Sequence, residues 1–69
     1  MVEIFKTNVR RKADTNYIIT FLKSLFPDYK VNFDLEDCDK ILRVEADKID
    51  CINIIESLNY MGFLCFEFE

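Results

Sequence analysis

Hydrophobic and polar positions follow two rhythms along the chain, a period of two and a period near 3.6, and each change of rhythm marks a new element. Val2–Val9 is rich in β-branched and aromatic residues and predicts a first strand. Arg10-Arg11-Lys12 follows as a compact positive loop. Asp14 is placed to cap a helix, whose first N–H groups need an acceptor. Ile18, Phe21, Leu22 and Leu25 then form the apolar stripe of an amphipathic helix. Pro27 ends it, because Pro lacks an N–H and disfavours helix at the residue before it.

The period of two returns at Tyr29, Val31, Phe33 and Leu35, separated by Lys30, Asn32 and Asp34, a half-buried strand. Glu36-Asp37-Cys38-Asp39 is a polar turn, and Ile41–Ala46 a third strand with Leu42 and Val44 on one face and Ile41, Arg43 and Glu45 on the other. These two strands predict a hairpin with an acidic tip. Asp50 is placed to cap a second helix, with Ile49 and Ile54 at the positions of a hydrophobic staple. Ile52, Ile55 and Leu58 are its expected inner stripe, widened by Cys51, Ile54 and Met61. Gly62 suits the left-handed residue that closes a helix, and Phe63–Phe68 is the last strand.

The element order is β-α-β-β-α-β within one domain, residues 1–69. With right-handed crossovers, the simplest packing is an α+β, ferredoxin-like sandwich: an antiparallel sheet of order 4-1-3-2 with two helices on one face. The other face of such a sheet is left open.

Composition sharpens this picture. A 69-residue chain is marginal unless rich in apolar residues, and this one is 51% hydrophobic, with seven Phe. The net charge of −4 opposes binding to nucleic acid or to an anionic lipid surface. Apolar runs are far shorter than the roughly 20 residues of a membrane span, so no membrane insertion is expected. The N-terminus has no signal-peptide pattern, and three cysteines form no C-x-x-C, which together predict a cytoplasmic protein with free thiols.

The chemistry-bearing residues are few. There is no His, no Ser or Cys nucleophile beside a visible base, and no glycine-rich phosphate loop. The chain therefore reads as non-catalytic and without a cofactor. Asp34, Glu36, Asp37 and Asp39 lack the Gly and the distal Glu of a calcium loop and read as a solvated turn. The cysteines read first as core or surface thiols. Cys51, at the start of a helix, is the candidate reactive thiol, because a helix N-terminus lowers a thiol pKa.

Three stretches, F-K-T-N-V, D-K-I-L-R-V-E-A-D and I-I-E-S-L-N-Y-M-G-F, are similar to those of heavy-metal-associated domains of the copper-chaperone kind. With length and element order, the resemblance covers essentially the whole chain. In that family a C-x-x-C between the first strand and helix holds a soft ion such as Cu(I), or Zn(II). Aligned on F-K-T-N, its two cysteine positions fall on Arg11 and Asp14. A guanidinium is a cation that only donates, so the resemblance implies a diverged member that has lost its metal site. No metal is therefore assigned; the alternative is copper or zinc binding or trafficking by noncanonical ligands, Cys38 with Asp37 and Asp39. Arg11 and Arg10 are instead expected to pair with Asp37 or Asp39 at the same end of the fold.

The resemblance also decides the face of the last strand. Alternation alone turns Leu64, Phe66 and Phe68 inward, whereas the resemblance turns Phe63 and Cys65 toward the helices, and the second register is adopted here. Phe5, Thr7 and Val9 then face inward, and Ile4, Ile41, Leu64, Phe66 and Phe68 form a contiguous apolar patch on the open face. Such a patch predicts a protein interface, most simply a symmetric homodimer.

Overall fold

The computed structural model describes residues 1–36 and 38–68. The elements come in the predicted order: β1 (Val2–Thr7), α1 (Lys12–Leu25), β2 (Lys30–Asp34), β3 (Ile41–Glu45), α2 (Cys51–Tyr60) and β4 (Cys65–Glu67). The four strands form one antiparallel sheet in the order β2-β3-β1-β4, the predicted 4-1-3-2 read from its other edge. In the sheet centre Phe5 lies opposite Leu42, and Leu42 opposite Phe33. These residues share a face, because side chains alternate across a strand.

That face carries the core. Phe5, Leu42 and Val44 from the sheet join Ile18 and Leu22 of α1 and Ile54 and Leu58 of α2 in a single buried cluster, each with no exposed surface. Fully burying a side chain of this size stabilises by roughly 1.5–3 kcal/mol. Both helices therefore cover the Phe5 face, and the alternate residues Lys6, Arg43 and Phe66 remain exposed.

The strands are shorter than predicted. β1 stops at Thr7, whose hydroxyl accepts from the Val9 N–H and donates to the Lys40 carbonyl, so the chain turns out of the ladder there. Val9 is still fully buried, as a loop residue. β4 holds only Cys65–Glu67, although the Phe68 N–H reaches the Ile4 carbonyl at 2.8 Å.

The start of α1 differs in its cap. The helix begins at Lys12, and the extended residue before it is Arg11, which makes no side-chain cap bond. Asp14 sits inside the first turn rather than ahead of it. There its charge still favours the positive end of the helix dipole. The apolar stripe also ends early: Ile18 and Leu22 are buried, but Leu25 is 48% exposed. Pro27 lies just past the end, as predicted, and Phe26 stacks on Tyr29 with centroids 4.4 Å apart.

In α2, Asp50 caps as predicted, accepting from the Asn53 N–H at 3.1 Å. The inner stripe is rotated from the expected one. Ile54 and Leu58 are its centre, and Ile52 is 70% exposed. The period-3.6 stripe through Leu58 runs back to Ile54, not to Ile52, which lies six residues away on the far side of the helix. The C-terminus closes as a Schellman turn: Phe63 N–H donates to Leu58 O, Gly62 N–H to Asn59 O, and Gly62 takes φ +94°.

Two consequences are measurable by urea unfolding. Ile54→Ala should cost about 2–5 kcal/mol, whereas Ile52→Ala should stay within about 0.5 kcal/mol. Gly62→Ala should cost about 1 kcal/mol. That cost would be conformational alone, since nothing lies within 4 Å of the added methyl.

Candidate functional site

Past the end of β1 the chain carries the cations Arg10, Arg11 and Lys12 and an ion pair local in sequence. Arg11 Nε lies 3.2 Å from Asp14 Oδ2, so the two residues at the aligned cysteine positions pair with each other. Among the described residues, Arg11 thus takes a partner in the first turn of α1 and none on the hairpin. The Arg11 side chain is 82% exposed, where such a pair is worth at most about 1 kcal/mol. Asp39 lies 3.7 Å from Lys6 instead. Asp37, the other expected partner, lies outside the described residues. The hairpin tip does reach the end of β1, as expected: Thr7 N–H donates to Asp39 O at 3.1 Å. Cys38, on that tip, is exposed and lines a shallow groove of about 350 Å³ with Lys6, Asn8, Leu64 and Phe66.

The open face is arranged as the adopted register requires. Cys65 is 3% exposed, whereas Leu64, Phe66 and Phe68 are 55%, 59% and 44% exposed. The turn at Gly62 sets this register, and alternation alone gave the wrong face. Ile4 and Ile41 are half-buried. Lys6 lies between Ile41 of β3 and Phe66 of β4, so the apolar residues occupy the β1–β4 side of the face. Lys6 Nζ stands 5.6 Å from the centre of the Phe68 ring, a cation–π distance. Leu64 is tied to the end of β1 through its N–H, which donates to Asn8 Oδ1 at 2.9 Å.

The third place where functional groups meet was not foreseen. Glu3 of β1, Cys51 at the start of α2 and Glu67 of β4 bring their thiol and carboxylate atoms within 4.8 Å of one another. Cys51 Sγ donates to Glu3 Oε2 at 3.6 Å. Glu3 and Glu67 face the helices because they alternate in phase with Phe5 and Cys65. The sequence signal was available there: Glu3 and Glu67 are in phase with core residues at the ends of neighbouring strands.

This cluster corrects the expectation for Cys51. Burial, with the Glu67 and Glu3 charges behind it, pushes the Cys51 thiol up to about 11. The helix N-terminus alone would lower it, but burial together with the two carboxylates outweighs it. Burial likewise pushes Cys65 up to about 12, with a smaller contribution from Cys51. Both are neutral thiols near pH 7.

No protein-family model matches the chain, and no curated protein and no solved structure matches it. Among the described residues, no helix is long and apolar enough to cross a membrane.

The raised thiols make stability fall in alkali. An unfolded thiol ionises near pH 8.5, whereas folded Cys51 and Cys65 hold their protons until about 11 and 12. Unfolding then releases protons, so this stabilisation is complete below about pH 8.5 and is lost as pH climbs toward the folded values. Urea midpoints should fall less between about pH 8 and 10.5 in Cys51→Ser than in the unsubstituted chain. In the folded protein at the lower pH, iodoacetamide should label exposed Cys38 first and Cys51 and Cys65 slowly, read by peptide mass spectrometry.

Proposed function

We propose that the chain is a non-catalytic protein-interaction module that pairs with a second copy of itself through the open sheet face. In this reading it has a ferredoxin-like fold and is a diverged heavy-metal-associated domain whose metal loop has become Arg11 and Asp14. That descent would place it as an accessory in metal homeostasis, in the cytoplasm.

The observation that carries the reading is the exposed apolar row Leu64, Phe66 and Phe68, with half-buried Ile4 beside it and half-buried Ile41 across Lys6. Contiguous apolar surface of this kind on a small chain marks an interaction site. Charge argues for a second copy as the occupant. The chain carries −4, so most pairs of its surfaces repel. The open face differs: Lys6, Lys30 and Arg43 share it with Asp34 and Glu45, all exposed. A face carrying both signs can meet itself across a two-fold axis with opposite charges opposed. Size allows it too. A stable interface takes about 800 Å² a side, roughly a sixth of the 4729 Å² surface.

Sedimentation equilibrium tests this directly. The chain should run at twice its chain mass at micromolar concentration. Phe66→Glu should weaken the dimer at least about thirtyfold, the loss of a hot-spot residue, with an unchanged far-ultraviolet spectrum. Tyr60→Glu, on the 89% exposed outer face of α2, should leave it unaffected. A chain monomeric at every concentration, or a dimer indifferent to Phe66→Glu, would sink the reading.

A further inference from the structure

We propose that Glu3, Cys51 and Glu67 form a Zn²⁺ site, one ligand from each of β1, α2 and β4, at the end of the sheet opposite the basic loop. The three donor atoms already lie within 4.8 Å of one another. In a tetrahedral zinc site, bonds of 2.0–2.3 Å separate ligand atoms by roughly 3.3–3.8 Å. Cys51 Sγ and Glu3 Oε2, at 3.6 Å, stand at that spacing. Closing the rest takes about 1 Å, within reach of a rotamer change at the exposed Glu67.

The charge of the cluster points the same way. Two carboxylates converge on a thiol, yet among the described residues the ion pairs join Lys6 to Asp39 and Arg11 to Asp14. Neither Glu3 nor Glu67 has a basic partner there. Like charges brought this close disfavour one another unless a cation joins them. A divalent ion reverses the local balance: it binds both carboxylates and takes the thiol as thiolate. The Cys51 S–H bond breaks as the S–Zn bond forms, and the proton leaves to solvent. The α2 N-terminus, opposed by the carboxylates in the free protein, then supports the thiolate.

The donor set selects the ion. One sulfur and two oxygens suit Zn²⁺, which accepts both and would keep water at its fourth position. Cu(I) prefers a second soft ligand, and Mg²⁺ and Ca²⁺ prefer oxygen alone. Cys65 is buried and is not among the converging atoms.

Co²⁺ is the probe, because a thiolate bound to it gives a near-ultraviolet charge-transfer band. Titration of the reduced full chain should produce that band with an endpoint of one ion per chain, and Zn²⁺ should displace it. Cys51→Ser should abolish the band, and Cys38→Ser should keep it. Glu67→Gln, an exposed substitution that leaves the core untouched, should weaken Zn²⁺ binding at least about tenfold, as loss of a ligand does. Since one proton is released, affinity should rise about tenfold per pH unit near neutrality. No band, a band that survives Cys51→Ser, or a band lost in Cys38→Ser would overturn the assignment. Phe66→Glu should bind Zn²⁺ normally, which keeps this test separate from that of the dimer.

Discussion

The left-handed turn at Gly62 governs more of this molecule than its size suggests. Two backbone bonds, from Phe63 to Leu58 and from Gly62 to Asn59, fix where the chain leaves α2. From that point β4 is only three residues long, and its side chains alternate. A slip of one residue would exchange its faces, burying Phe66 and exposing Cys65. The turn therefore places Phe66 on the open face and Glu67 beside Cys51. Both proposed sites depend on it, one on each side of the same short strand.

The two sides differ in electrostatic character. On the open face, charges of both signs are interspersed with apolar residues, and Lys6 stands over Phe68. On the helix side, charge is pushed to the end of the sheet, where Glu3 and Glu67 flank Cys51. An edge strand as short as β4 offers little backbone to another chain. Its side chains, rather than its unpaired amides, are what a partner would meet. This favours face-to-face contact over strand addition at that edge.

Much of the fold was legible because its signals are local. The period-two runs gave β2 and β3, Pro27 ended α1, Asp50 capped α2, and Gly62 closed it. The failures share a cause: each depended on what another element brings. Asp14 looks like a cap, but Arg11 and the fold of the loop start the helix earlier. Ile52 is as apolar as Ile54, and only the position of the sheet decides which is inside. The helix terminus at Cys51, taken alone, points to a lowered thiol pKa. Burial under the fold and, after it, the charges of Glu67 and Glu3, 16 and 48 residues away in sequence, set its shift. Pairwise convergence of that kind leaves only a faint trace in a single chain.

The two ends of β1 can be weighed as competing places for a cation. One end leads into Arg10, Arg11 and Lys12, and the other holds Glu3 with Glu67 and Cys51. They are separated by about 16 Å of strand, more than the Debye length of about 8 Å at physiological salt. Each end therefore acts on an ion largely by itself, and the overall charge of −4 does not average them. A metal ion approaching the loop meets guanidinium groups that repel it and cannot ligate it. At the opposite end it meets oxygen and sulfur donors, and among the described residues no ion pair engages Glu3 or Glu67. The proposed Zn²⁺ site therefore lies at the Cys51 end of β1, away from the Arg10–Lys12 loop.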